Sequence, residues 1–357
     1  LVQDNGYAIS TPTEVQYAGA NVAALMKGWE AHGLLVIDEV DGCDPIASYE
    51  ALSRAAEHCR ARKGPALVRA RTIRPYSHSL SDDETLYKTT AQRAEEAQRD
   101  PVVTYAARLV REGDLTENEL EQLKAEIQME IDLAWEQAEQ APPPDSGSYM
   151  THLYSETVDP TSPAFDTEAA APAPDAPQKT MIDLLNLTLK AEMARDERIL
   201  VFGEDVADAT REEILSEVKG KGGVFKTTHG LQKAFGGARV FNTPLAEATI
   251  IGRAIGLASR GFKPVAEIQF FDYIWPAMQQ LRDELANIRW RSNGAYKAPM
   301  VVRVPIGGYL MGGGVYHSQC GEVTFTHIPG LRVVYPSTAL DAAGLLRTAI
   351  RCDDPVL

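Results

Sequence analysis

The chain has 357 residues, 44% of them apolar, and a formal net charge of −15 at pH 7. It holds enough material for more than one core and lacks the basic clusters that binding to nucleic acid or an anionic membrane would need. No apolar run approaches the roughly 20 residues of a spanning helix, no signal-type segment opens the chain, and Cys43, Cys59, Cys320 and Cys352 form no Cys-x-x-Cys pair; this argues against a zinc or disulfide framework and for a reducing, cytoplasmic setting.

In chain order, Leu-Val-Gln-Asp-Asn reads as a strand leaving a core, and because it starts at Leu1 a truncated N-terminus is expected. A strand over Leu34–Asp38, a helix over Ile46–Arg62 and a strand over Ala66–Thr72 follow. Thr116 and Glu119 form a capping box for a helix to Glu139, with Leu120, Leu123, Ile127, Ile131 and Ala134 as its apolar stripe and Pro142–Pro144 as its stop. The acidic remainder of that helix is a solvated surface or a partner-docking face. Four prolines between Pro163 and Pro177, set among alanines, mark a linker at 159–178 between domains at 1–158 and 179–357. Beyond it come a helix over Met181–Arg195, a strand over Ile199–Gly203, a charged helical excursion over Ala207–Gly223 and a helix of small residues from Glu247 to Ser259. Strands are predicted at Val265–Ile268, Pro299–Val304 and Leu331–Tyr335. Such alternation predicts an α/β fold, two domains each built on a mostly parallel sheet flanked by helices.

Several segments carry candidate chemistry. Asn5-Gly6-Tyr7-Ala8-Ile9-Ser10 follows a strand end, the edge where open α/β sheets bind ligands, and its Asn and backbone oxygens suit magnesium; the alternative is a simple Asn-Gly turn. His78, among small hydroxyl residues after a strand, is placed to donate to an anion or move protons, or is a solvent-exposed loop residue. Glu247 stands amid Pro, Leu, Ala, Ile and Gly, so burial and a raised carboxyl pKa are expected; the alternative is a helix-start Glu favoured by the dipole. Glu267-Ile268-Gln269-Phe270-Phe271-Asp272-Tyr273 and Tyr316-His317-Ser318-Gln319 could face the same cleft. The glycine run from Gly307 to Gly314 lacks a phosphate-loop or dinucleotide pattern.

Together, Asn-Gly-Tyr-Ala-Ile-Ser, Phe-Asn-Thr-Pro-Leu-x-Glu, Ala-Glu-Ile-Gln-Phe-x-Asp-Tyr and Tyr-His-Ser-Gln resemble the thiamine diphosphate-dependent decarboxylase (dehydrogenase) component of 2-oxo acid dehydrogenase complexes. The first half looks like the C-terminal part of its α subunit and the second like the N-terminal part of its β subunit, fused in one chain and closest in look to branched-chain (2-oxoisovalerate) members, with pyruvate as the alternative substrate and a non-catalytic scaffold as the alternative role. The resemblance implies two thiamine diphosphate-binding-type domains. In it Asn5 and the Tyr7 carbonyl hold Mg²⁺ on the cofactor diphosphate, and His78 lies near that diphosphate and the reacting carbon. Glu247 bonds the aminopyrimidine, Leu245, Gln269 and Tyr273 shape the pyrimidine pocket, and His317 donates a proton or stabilises an oxyanion. It further implies acyl transfer to a lipoyl-bearing acyltransferase component and a homodimer of fused chains. The family's Gly-Asp-Gly magnesium segment is expected upstream of Leu1, and its β-type C-terminal domain beyond Leu357. Ser79 sits where mitochondrial members are phosphorylated, a regulation not expected in a bacterial-looking fusion.

Overall fold

Three short parallel strands organise Leu1–Pro143, the first of two units into which the chain divides; the computed structural model describes residues 1–166 and 174–357. Strands β1 (Val2–Asp4), β2 (Val36–Asp41) and β3 (Ala66–Arg71) lie in the order β1-β3-β2, with Val36–Asp41 opposite Ala66–Arg71. A parallel pair needs a crossover, and α1 (Pro45–Arg60) supplies it. Asp44 caps that helix by accepting from the Ile46 and Ala47 amides at 2.9 and 3.1 Å, and Pro45 starts it with its φ already set. Helices α2 (Thr90–Gln98), α3 (Pro101–Glu112) and α4 (Glu117–Gln140) follow. The Thr116–Glu119 capping box closes as expected. The stripe it introduces does not enter a core of this unit, since α4 has no buried residue and Leu123, Ile127 and Ile131 are exposed.

The second unit, Pro144–Leu357, is built on a four-stranded parallel sheet. Its elements are α5 (Met181–Arg195), β4 (Ile199–Gly203), β5 (Val240–Asn242), α6 (Glu247–Ser259), β6 (Lys263–Glu267), β7 (Val301–Arg303) and α7 (Ala339–Arg351), with strand order β5-β4-β6-β7. All five residues of β4 are buried, as a central parallel strand with both faces covered requires. Alternate residues serve opposite faces: Phe202 packs with Ile251, Leu281 and Phe325, whereas Val201 packs with Leu189, Val265 and Ile350. Buried Glu192 joins α5 to α7 by accepting from Arg195 at 2.8 Å and Arg351 at 2.6 Å. Among the described residues no helix is long and apolar enough to cross a membrane.

Four details depart from the sequence expectations. Leu331–Tyr335 is not a strand; Arg332 makes one isolated bridge to Val356, and Pro336 has no amide to extend a ladder. Strand β5, only three residues long, was not foreseen. Ala207–Gly223 holds no α-helix, only a turn at Glu212–Ile214, because hydrogen bonds to distant residues tie it down: Gln232 bonds Ala209 in both directions, and Asp208 accepts from the Gly230 amide at 2.8 Å. The compact units meet at Pro143 and Pro144, not at 158, and the expected linker at 159–178 lies partly outside the described residues. Residues 144–166 go with the second unit, where the Ser155 amide donates to Asp354 at 2.7 Å, Trp290 Nε1 donates to the Tyr149 carbonyl at 3.1 Å and Phe165 packs against the core.

Candidate active site

In the second unit the site begins where β4 ends. A Cβ on Gly203 would lie 2.4 Å from the Glu267 carbonyl oxygen, so only glycine lets the ends of β4 and β6 come this close. The Gly203 carbonyl accepts from the Thr243 amide at 2.7 Å, which draws in the segment leading to α6. Glu204 follows Gly203 and is 6% exposed, and burial together with the charge and hydrogen bond of Glu247 pushes its carboxyl up to about 7. Its Oε1 is buried and has no hydrogen-bond partner among the described residues. Glu247 is the first residue of α6, whose N-cap Ala246 offers no side-chain cap. It is half-buried, not buried as expected, because Pro244 and Leu245 just before the helix are themselves exposed and leave its start open. Sequence reasoning missed the buried Glu204; Gly-Glu-Asp directly after a wholly apolar strand was the available signal.

An aromatic wall stands in the same unit. Asn242 Oδ1 accepts from the Val206 and Ala207 amides, both at 2.7 Å, and Thr228 Oγ1 donates to the Val206 carbonyl at 2.6 Å, which fixes the loop that carries Phe225. Phe225 meets Phe270 edge-on at 5.6 Å, and Phe270 meets Tyr273 and His317 at 5.7 and 4.6 Å. Tyr273 Oη and His317 Nε2 are 2.6 Å apart, and His317 Nδ1 lies 3.0 Å from the Gly313 carbonyl. Glu267 is buried and paired with Arg303. A cavity of about 830 Å³ opens beside Phe225, Phe270, Ile306, Leu310 and His317. Gln269 is half-buried, and Leu245 is 82% exposed, so Leu245 walls no pocket within this unit.

The first unit joins its two candidate loops through one arginine. Asn5 Oδ1 accepts from the Tyr7 amide at 2.9 Å, while Asp4 holds the Gly6 amide at 3.1 Å and Arg69 at 2.6 Å. Arg74 donates to the Ile9 carbonyl at 2.8 Å and to the Tyr87 hydroxyl at 2.5 Å. Tyr87 in turn donates to Asp82 at 2.6 Å, and Asp82 accepts the His78 amide at 2.8 Å. The Tyr87 hydroxyl is the main cause that holds the Asp82 carboxyl below its ordinary range. The imidazole of His78 is exposed. Ile9 has φ of 55°, a costly conformation for a β-branched residue, and Arg74 holds its carbonyl in place. Nothing local in the sequence marks Arg74 and Tyr87 as joining these loops. Asn5 Oδ1 and the Tyr7 carbonyl are two hard oxygen donors, and no group of three or more His, Cys, Asp or Glu among the described residues could hold a metal ion.

Residues 178–357 match the family model described as the transketolase pyrimidine-binding domain. The chain belongs to that family. Ahead of the pyrimidine-binding domain, residues 1–146 match the model of the dehydrogenase E1 component; both are families of thiamine diphosphate-dependent proteins. The 2-oxoisovalerate dehydrogenase subunit beta of Bacillus subtilis is 50% identical over 176 residues, covering 49% of this chain and 50% of that protein. The pyruvate dehydrogenase E1 component subunit beta of Leifsonia xyli is 42% identical over 188 residues, covering 53% and 52%. The 3-methyl-2-oxobutanoate dehydrogenase subunit beta of Mycobacterium tuberculosis is 46% identical over 192 residues, covering 54% and 51%. The chain thus spans about half the length of these curated relatives. A mutant transketolase of Pichia stipitis, 17% identical, superposes with a TM-score of 0.53 over 99% of this chain and 50% of that one, a likeness of fold.

Proposed function

We propose that this chain belongs to the decarboxylating component of a 2-oxo acid dehydrogenase, acting on branched-chain 2-oxo acids of the 2-oxoisovalerate type with thiamine diphosphate and passing the acyl group to the lipoyl group of an acyltransferase component. The observation that carries this reading is the Glu204–Glu247 pair: a buried carboxyl pushed up to about 7, with one oxygen lacking a partner, beside a second carboxyl at a helix start. Such a pair retains one proton near neutral pH and offers it, or an acceptor in its place, to a nitrogen heterocycle. The aromatic wall of Phe270, Tyr273 and His317 suits a flat ring, so the residues present fit an aminopyrimidine. When bound, the cofactor supplies the electron sink for decarboxylation.

The chain's own residues then have distinct tasks. Glu247 accepts or returns a proton at a ring nitrogen, while Glu204 keeps the shared proton from leaving to water. Gln269 flanks the ring, and His317 faces the reacting carbonyl. In the first unit Asn5 Oδ1 and the Tyr7 carbonyl are proposed ligands of Mg²⁺, which would draw its remaining ligands largely from a diphosphate, and His78 is the proposed proton-carrying contact to that group. The fusion of α-type and β-type segments and the pairing of two chains in a homodimer are likewise proposed; the solution mass tests the pairing.

Titration calorimetry with thiamine diphosphate and Mg²⁺ tests the cofactor assignment: binding that vanishes in Glu247→Ala supports it, and no binding by the unaltered complete protein overturns it in favour of a non-catalytic scaffold. Steady-state comparison of 2-oxoisovalerate with pyruvate on the complete protein tests the substrate. The 50% identity to a protein named 2-oxoisovalerate dehydrogenase subunit beta supports the branched-chain acid, while proteins named for pyruvate reach 45%, so the assay decides between them.

A further inference from the structure

Both ring nitrogens of His317 are engaged, Nδ1 with the Gly313 carbonyl at 3.0 Å and Nε2 with the Tyr273 hydroxyl at 2.6 Å. Turning the ring over would set carbons against both partners, so the two contacts fix its orientation together. A carbonyl only accepts, and Nδ1 therefore carries a hydrogen. In neutral His317 the bare nitrogen is then Nε2, and Tyr273 donates to it. Phe270, edge-on to the imidazole at 4.6 Å and 87°, keeps the ring from swinging away. A neutral His317 held in this way has no N–H left to give to a substrate.

We infer that Tyr273 and His317 act as one proton-carrying couple in which the tyrosine hydroxyl, and not an imidazole N–H, is the group that delivers a proton to the substrate. This rests on reading the second unit as part of a 2-oxo acid decarboxylating enzyme. In the protonated couple, Nε2–H donates to Tyr273 Oη, which frees the hydroxyl hydrogen to point at the 2-oxo group. As negative charge develops there, the Oη–H bond breaks and a bond to the substrate oxygen forms, while the Nε2 proton passes to Oη. The couple ends with a neutral imidazole, an intact tyrosine hydroxyl and a protonated substrate oxygen. No other reactant is required, and the resting hydrogen bond from Oη to Nε2 is restored. Tyr273 is thereby given a proton-transfer task beyond shaping a pocket, and the Gly313 carbonyl is what confines the mobile proton to the Nε2 side.

The test has two arms. In the chain labelled with ¹⁵N-histidine and free of cofactor, with the His317 signals assigned through His317→Gln, the neutral form is expected to show a protonated Nδ1 and a hydrogen-bonded, unprotonated Nε2. Tyr273→Phe, which keeps the ring packed against Phe270, should move the Nε2 resonance and leave Nδ1 in place. A proton found on Nε2 of the neutral ring, or an Nε2 resonance that ignores Tyr273→Phe, overturns the couple. In the complete protein turning over 2-oxoisovalerate, Tyr273→Phe and His317→Gln should each lower kcat about 100-fold, with KM little changed, and the double variant should be no slower than the worse single one. Losses that multiply to about 10⁴-fold refute a shared proton path. If the unaltered complete protein turns over no 2-oxo acid, the functional reading fails, and the nitrogen resonances still decide whether the couple exists.

Discussion

Replacing Glu204 by Gln keeps the side chain's shape and removes a buried carboxyl whose ionisation the fold resists. Its carboxyl is pushed from an ordinary 4.5 to about 7, first by burial and then by Glu247. At about 1.4 kcal/mol per pH unit, the folded state pays roughly 3 kcal/mol to hold this group ionised. Because the folded value lies above the unfolded one, folded and unfolded chains both keep the proton below about pH 4.5, and the penalty is then absent. Between about pH 4.5 and 7 the unfolded chain loses the proton first, so stability falls as pH rises; above about 7 the full penalty remains. Glu204→Gln should therefore match the parent near pH 4.5 and exceed it by about 3 kcal/mol at pH 8, which for a unit of this size is about 6–12 °C in melting temperature. Thermal unfolding of both proteins from pH 4.5 to 8.5 measures the gap directly, and titrations common to both cancel. Glu247→Gln, which removes the neighbouring charge, should stabilise in the same window by a smaller amount. A gap between Glu204→Gln and the parent that stays constant across pH would show that Glu204 is not held protonated by the fold.

Three further outcomes follow from the geometry. Gly203→Ala brings a methyl to 2.4 Å from the Glu267 carbonyl and should lower stability by about 1–3 kcal/mol or more, read as a lower urea midpoint at unchanged slope; an unchanged midpoint would mean that β4 and β6 separate freely. Arg303→Met strands the buried Glu267 carboxylate and should cost about 3–5 kcal/mol, much of it recovered when Glu267→Gln is added. Arg74→Met cuts the ties from Ile9 to Tyr87, so limited proteolysis between His78 and Glu84 should speed up at least about tenfold while the helix signal of the unit stays constant; equal cleavage rates would show that the loops hold without it.

The sequence by itself determined whatever depends on neighbours a few residues away. The Thr116–Glu119 box, the apolar run of Ile199–Gly203 and the crossover from Val36–Asp41 through α1 to Ala66–Arg71 are written in capping pairs, burial-length runs and helical spacing, all of which act within a turn or a strand. The motifs also suggested that the segments of Tyr273 and His317 could face one cleft, and their side chains are in hydrogen-bond contact. Tertiary structure decided the rest, because it turned on distance through space. Glu204 and Glu247 are brought together by the close approach that Gly203 permits and by the Thr243 amide on the Gly203 carbonyl, and no local pattern announces that a carboxyl after one strand will be desolvated beside the first residue of a later helix. Likewise Ala207–Gly223 reads as helical in isolation but is held open by Gln232, and the boundary between units moves to Pro143 and Pro144 because Ser155 and Tyr149 find partners in Asp354 and Trp290. A segment's local preference amounts to tenths of a kilocalorie per residue, and a few buried hydrogen bonds to distant side chains, each worth about 1 kcal/mol, outweigh it.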